Sequence, residues 1–105
     1  MSACVKTPDG RLWHLVGEKY LTAVSDVAGL TPLILPALGP RLDLAALVER
    51  LDGLVLTGSP SNVHPARYGE APTPEAEPYD EARDATTLAL IPAALAAGLP
   101  ILALC

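Results

Sequence analysis

Three short apolar runs, each bounded by proline or glycine, alternate along this chain with segments of helical period, and that alternation limits the fold more than any other feature. The runs are Leu33-Ile34-Leu35 between Pro32 and Pro36, Leu54-Val55-Leu56-Thr57 between Gly53 and Gly58, and Ile101-Leu102-Ala103-Leu104 after Pro100. Each reads as a buried strand. Strands joined through crossover helices pair in parallel, in a sheet covered on both faces. With no Phe, one Trp and three Tyr in 105 residues, the core has to be built from Leu, Val, Ile and Ala, the residues of strands buried on both sides. At this length one domain is the ceiling. Ala3 to Lys6 reads as the end of a first strand.

The segments between the runs have the spacing of helices. Glu18 to Ala28 places Tyr20, Leu21, Val24 and Val27 on one buried face and stops at Gly29, a favoured residue after a helix. Arg41 to Leu51 does the same with Leu44, Leu47, Val48 and Leu51. Asp80 to Ala97 is the third, with Leu88, Ile91 and Leu95 as its apolar face. Pro92 is expected to kink it, because its ring removes the bond to the Leu88 carbonyl. Gly58 to Tyr79 holds five prolines and two glycines with few aliphatics, a loop longer than most connections in compact domains. Ligands of parallel α/β sheets bind beyond the carboxyl ends of the strands. The loop after Thr57 and the cysteine after Leu104 both fall on that edge.

Seven Lys and Arg against twelve Asp and Glu leave a net charge of −5. A chain that is half hydrophobic and 18% charged packs rather than staying disordered, and an acidic one lacks the clustered cations that neutralise phosphates. Neither nucleic acid nor an anionic membrane is expected as a partner. Lys6, Asp9, Arg11, Glu18 and Lys19 interrupt the first twenty residues, so no secretory leader is read there. Ala85 to Cys105 is uncharged, but Pro92, Gly98 and Pro100 divide it into a helix end, a turn and a strand, and the open backbone at the turn does not suit lipid. Cys4 and Cys105 stand at opposite ends without metal-ligand spacing. Reduced thiols in the cytoplasm are the expectation, with no metal and no cofactor.

A thiol set directly after an apolar parallel strand becomes a nucleophile when the chain then turns into a helix, whose N-terminus favours the thiolate and whose amides hold an oxyanion. Here the sequence ends at that thiol. By spacing alone Cys105 fits plain packing as readily, free cysteine being among the most buried residue types.

Glu18-Lys19-Tyr20-Leu21, Gly58-Ser59-Pro60-Ser61-Asn62-Val63, Tyr68-Gly69, Arg83-Asp84 and Pro100-Ile101-Leu102-Ala103-Leu104-Cys105 add a more specific signal. In order and approximate spacing they resemble the gamma-glutamyl-gamma-aminobutyrate hydrolase family, part of the class I glutamine amidotransferase-like proteins. The resemblance covers essentially this whole chain and the amino-terminal part of a family member. It implies an α/β, flavodoxin-like parallel sheet with helices on both faces, incomplete here, with residues 1–105 a single partial domain ending at the nucleophile. It also implies hydrolysis of a small-molecule gamma-glutamyl amide through a cysteine thioester. Cys105 matches the nucleophile, and Gly58 and Ser59 match the first oxyanion segment, in contact with substrate. Gly58 lets the backbone come close. The donor is assigned to the Ser59 amide, with Gly58 as the fallback.

The family's second oxyanion donor, the amide after the nucleophile, has no counterpart here, nor have the His and Glu of its triad. With no base to take the thiol proton and a carboxylate on Cys105 beside its own sulfur, the thiolate is disfavoured. The 105-residue polypeptide alone is expected to be inactive, and its first strand to be clipped at Met1. One rival is a glutaminase that passes ammonia to a synthetase, separated by which amine leaves. Another is a non-catalytic remnant or partner-binding half that associates, with itself or another chain, through exposed sheet. The Gly-Ser-Pro-Ser-Asn-Val segment favours the hydrolase.

The other polar residues have plainer readings. Cys4 is expected to be a buried strand residue, and His14 and His64 to be solvated loop histidines. Asn62 and Ser61 fit capping of the loop or contact with substrate equally. Arg83-Asp84 reads as a helix-start ion pair or a loop anchor, Tyr68 and Tyr79 as packing, and Glu70 to Glu81 as solvated surface.

Overall fold

Proline and glycine punctuation sets where the ladders stop. The computed structural model describes residues 1–105 as a small α/β fold. In chain order its elements are β1 (Cys4–Lys6), β2 (Trp13–Leu15), α1 (Glu18–Thr22), α2 (Leu44–Val48), β3 (Leu54–Leu56), α3 (Glu81–Ala96) and β4 (Ile101–Ala103). β3 and β4 run parallel, Leu54 opposite Ile101 and Leu56 opposite Ala103. Met1 to Ala3 lies beside β3: the Ser2 N–H donates to the Val55 carbonyl at 3.0 Å, and the Ala3 N–H to the Leu35 carbonyl at 3.0 Å. Ser2 and Leu35 form a parallel bridge. The run between Pro32 and Pro36 therefore pairs at Leu35 alone. Its prolines have no N–H with which to extend a ladder, and Leu33 and Ile34 stay exposed.

The segment read as one strand end, Ala3 to Lys6, is divided. Through Ala3 the chain follows Leu35 and Val55, and from Cys4 it pairs antiparallel with β2, Cys4 opposite Leu15 and Lys6 opposite Trp13. β2 has no counterpart among the expected elements, because all three of its residues are exposed and leave no burial pattern. The buried Asp80 carboxylate accepts the Val5 N–H at 2.7 Å and fixes β1 to the start of α3.

Leu35, Val48, Leu54, Leu90 and Ala94 form the core, with Leu42, Leu44, Leu47, Leu56 and Ile101 packed around it. α2 is shorter than Arg41 to Leu51. The Asp43 carboxylate accepts the Ala46 N–H at 3.0 Å, so the helix is capped there, and Gly39–Arg41 is a separate single turn. α1 widens after Thr22 into a π-helical turn, Ala23–Val27. An extra residue in a turn rotates later positions by about 100°. Tyr20, Leu21 and Val24 stay half-buried, whereas Val27, expected in the core, is 86% exposed.

α3 presents a different face from the one its aliphatics suggest. Leu90 and Ala94 are fully buried, together with Asp84 and Thr86, while Leu88 and Leu95 are 41% and 65% exposed. The Thr86 hydroxyl accepts the Gly39 N–H and donates to the Ala82 carbonyl, each at 2.8 Å. A buried face that is partly polar is invisible to a search for apolar period. α3 continues through Pro92 to Ala96, as the reading of Asp80 to Ala97 as one helix expects, with Pro92 on its exposed side. Residues 58–79 form a loop carrying the short turns Pro65–Arg67 and Pro74–Ala76 and a bridge between Asn62 and Tyr79. No helix is long and apolar enough to cross a membrane.

Candidate active site

The carboxyl ends of β3 and β4 hold the site, and Thr57 sets its foundation. Its N–H donates to the Ser2 hydroxyl at 3.1 Å and its own hydroxyl donates to the Ser2 carbonyl at 2.9 Å, all of it buried. Gly58 follows in a crowded position, where a Cβ would lie 2.8 Å from the Tyr20 hydroxyl and 3.5 Å from the Leu104 carbonyl oxygen. Glycine allows the loop to come this close to the end of β4.

The two amides of the loop differ in what they meet. The Gly58 N–H donates to the Tyr20 hydroxyl at 3.1 Å, whereas the Ser59 N–H has no acceptor within the chain. The Ser59 hydroxyl is shared with Ser61: the oxygens are 2.8 Å apart, and the Ser61 N–H donates to the Ser59 oxygen at 3.2 Å.

Arg83 holds this loop from α3. One guanidinium nitrogen donates to the Thr57 carbonyl and the other to the Cys4 sulfur at 2.9 Å, and the Cys4 thiol donates to the Ser59 hydroxyl at 3.4 Å. Asp80 caps the helix turn that carries Arg83, accepting the Arg83 N–H at 3.0 Å. Asp84 points elsewhere and accepts the His64 N–H at 2.8 Å. Arg83 and Asp84 are thus two loop anchors and not an ion pair with each other. Asp80, placed by its sequence in a solvated acidic run, is buried because two backbone N–H groups satisfy its carboxylate. Cys4 is half-buried, with polar partners on both sides.

Cys105, Gly58 and Ser59 line two clefts in common. The larger, of about 400 Å³, is walled by Cys4, Lys6, Lys19 and Tyr20. The smaller, of about 240 Å³, runs along α3 past Arg83, Leu88 and Ile91 to Val63. Cys105 is exposed between them. The histidines lie outside both clefts: the His14 Nδ1 accepts the Ala37 N–H at 3.0 Å, and the His64 Nδ1 accepts the Ala66 N–H at 3.3 Å while its ring lies tilted against Tyr79. Asn62 caps the loop, its amide donating to the Ala76 carbonyl at 2.9 Å. Tyr68 is 60% exposed.

An exposed thiol at a parallel strand end beside a glycine-serine loop is the arrangement the resemblance to class I glutamine amidotransferase-like proteins implies, and comparison with known proteins places the chain in that class. The Peptidase C26 family model matches residues 1–105, and the chain belongs to that family. It is 43% identical, over 97% of its length, to a gamma-glutamyl-gamma-aminobutyrate hydrolase of Escherichia coli O157:H7, and 42% identical over the same share to that of Escherichia coli strain K12. A Shigella flexneri protein of the same name is 41% identical. The chain spans 39% of the length of each of these relatives.

Four cleft residues are assigned no place in a site by sequence, although Lys19 and Tyr20 stand in one of the segments that carry the resemblance. Lys6, Lys19 and Tyr20 reach the cleft only because β1 and α1 end beside β3, and Cys4 meets Arg83 across 79 positions of sequence. An Arg in the first turn of a helix that follows a long loop is the one local hint, and it suits an exposed residue equally.

Proposed function

We propose that this chain supplies the nucleophile and an oxyanion donor for hydrolysis of gamma-glutamyl amides, the reaction named for its relatives. The observation that carries the reading is the convergence of Cys105, Gly58 and Ser59 on shared clefts, with the Ser59 N–H unpartnered and that of Gly58 engaged by Tyr20. In this mechanism the Cys105 sulfur attacks the gamma-carbonyl carbon, and the Ser59 amide stabilises the developing O⁻. The tetrahedral intermediate collapses to a thioester as the C–N bond breaks and the amine leaves with the proton that the thiol gave up. Water then hydrolyses the thioester to free glutamate.

The remainder of the reading rests on the same features. The bonds that set Leu35 beside Ser2, Ser2 beside Val55 and β3 beside β4 support a flavodoxin-like order of parallel strands. The free thiols Cys4 and Cys105 support a reducing, cytoplasmic setting. Because neither histidine enters the clefts, the 105-residue polypeptide by itself is proposed to be inactive.

The test is a chimera in which residues 1–105 replace the matching segment of the Escherichia coli hydrolase. Release of 4-aminobutyrate from its gamma-glutamyl amide, abolished by Cys105→Ala, is expected, as is no release from the 105-residue chain alone. A folded chimera that turns over equally with alanine at position 105 overturns the reading. The exposure of Leu102 on β4 and of Leu104 just after it favours a second role, association through this edge of the sheet. Sedimentation of the chain as a monomer across a concentration series refutes it.

A further inference from the structure

The chain contains two lysines, Lys6 and Lys19, and both line the cleft of Cys105. It contains twelve Asp and Glu, and none of them does. In a molecule of net charge −5, whose five arginines lie outside it, the larger cleft holds two cations and no Asp or Glu. The two lysines come from different elements. Lys6 is the half-buried last residue of β1, and Lys19 lies on the exposed side of α1 with its ammonium 5.0 Å over the Tyr20 ring. Their convergence is therefore made by the fold and not by a local run of charge. Neither forms an ion pair with a carboxylate of the chain, which leaves both ammonium groups to act on what enters the cleft. Two like charges that line one cleft raise the local concentration of anions there.

Resting on the hydrolase reading, we propose that Lys6 and Lys19 are specificity-determining residues that select a gamma-glutamyl amide with two carboxylates, one whose amine portion carries its own carboxylate. Such a substrate presents a carboxylate at each end of the scissile amide. Two separate cations lining the cleft of the thiol match two carboxylates better than they match glutamine or an amide of a neutral amine, each of which carries a single carboxylate.

The test uses the 105-residue chain and needs no turnover. Cys105 is alkylated with iodoacetate, an anion, and with iodoacetamide, its neutral counterpart, and the rate at Cys105 is resolved from that at Cys4 by peptide mass spectrometry. The ratio of the two rates cancels differences in thiol reactivity and reports the local potential. Each unit charge within about a Debye length of the sulfur changes that ratio about twofold, so Lys6→Met with Lys19→Met is expected to lower it about two- to fourfold. Lys6→Arg with Lys19→Arg is expected to retain it, and about 1 M salt to erase the difference. An unchanged ratio in the double methionine variant overturns the proposal. In the chimera the same double variant is expected to raise KM for gamma-glutamyl-4-aminobutyrate by more than it raises KM for gamma-glutamylpropylamide, which keeps only one of the two carboxylates, and equal effects on both also overturn it. A chimera without Cys105-dependent turnover refutes the hydrolase reading and leaves the alkylation ratio to decide the role of the lysines.

Discussion

The guanidinium of Arg83 donates to the sulfur of Cys4 at 2.9 Å, across 79 positions of sequence. Because its second nitrogen holds the Thr57 carbonyl, one side chain ties α3 to β1 and to the loop that presents Gly58 and Ser59. A planar fork meets two separated acceptors through two different nitrogens, where a lysine has only one.

Arg83→Met is expected to destabilise the chain by about 2 kcal/mol, the worth of hydrogen bonds from a charged donor to partly buried acceptors. Urea unfolding measures it. Arg83→Lys is expected to recover less than half of the loss, and amide exchange at residues 58–61 to accelerate in both variants.

Gly58→Ala places a methyl 2.8 Å from the Tyr20 hydroxyl. Overpacking of this kind costs about 1–3 kcal/mol. Tyr20→Phe removes the obstructing oxygen, so the double variant is expected to be more stable than the sum of the single changes predicts. A double-mutant cycle from thermal unfolding gives the coupling, and a coupling of zero contradicts the packing described.

Leu90 and Leu95 test which face of α3 is buried. Leu90 is 0% exposed and Leu95 is 65% exposed. Leu90→Ala is expected to cost about 2–5 kcal/mol through lost contacts and a residual cavity, and Leu95→Ser less than about 0.5 kcal/mol. Denaturant midpoints of the two variants distinguish this face from the one defined by Leu88, Ile91 and Leu95.

Asp9 offers a pH readout through the single tryptophan. Its carboxylate accepts the Trp13 indole N–H at 2.8 Å and the Arg11 N–H at 3.2 Å, and these bonds hold its pKa below the ordinary aspartate value. A carboxylate depressed in the folded state contributes stability above its unfolded pKa and loses it as the pH falls through the folded value. Trp13 fluorescence is therefore expected to change in the acid range below the ordinary aspartate pKa. Asp9→Asn is expected to abolish that step.

Much of the site was readable because its signals are local. Gly58, Ser59 and Cys105 stand directly after apolar runs, and a residue's place at a strand end depends only on its neighbours. The faces of the helices were less readable. Val27 was carried out of register by a π-helical turn, and the buried side of α3 includes Asp84 and Thr86, whose burial depends on partners at His64 and Gly39.

Sequence by itself determined the alternation of strand and helix, the long loop after Thr57 and the placement of a thiol at the end of the last apolar run, since proline, glycine and hydrophobic period act within a few residues. Only the tertiary structure decided that Met1 to Ala3, and not Cys4 to Lys6, lies beside β3, that Cys4 and Arg83 support Ser59, and that both lysines face the cleft of Cys105. Those outcomes depend on groups dozens of residues apart satisfying one another's hydrogen bonds in a space that exists only once the core has closed.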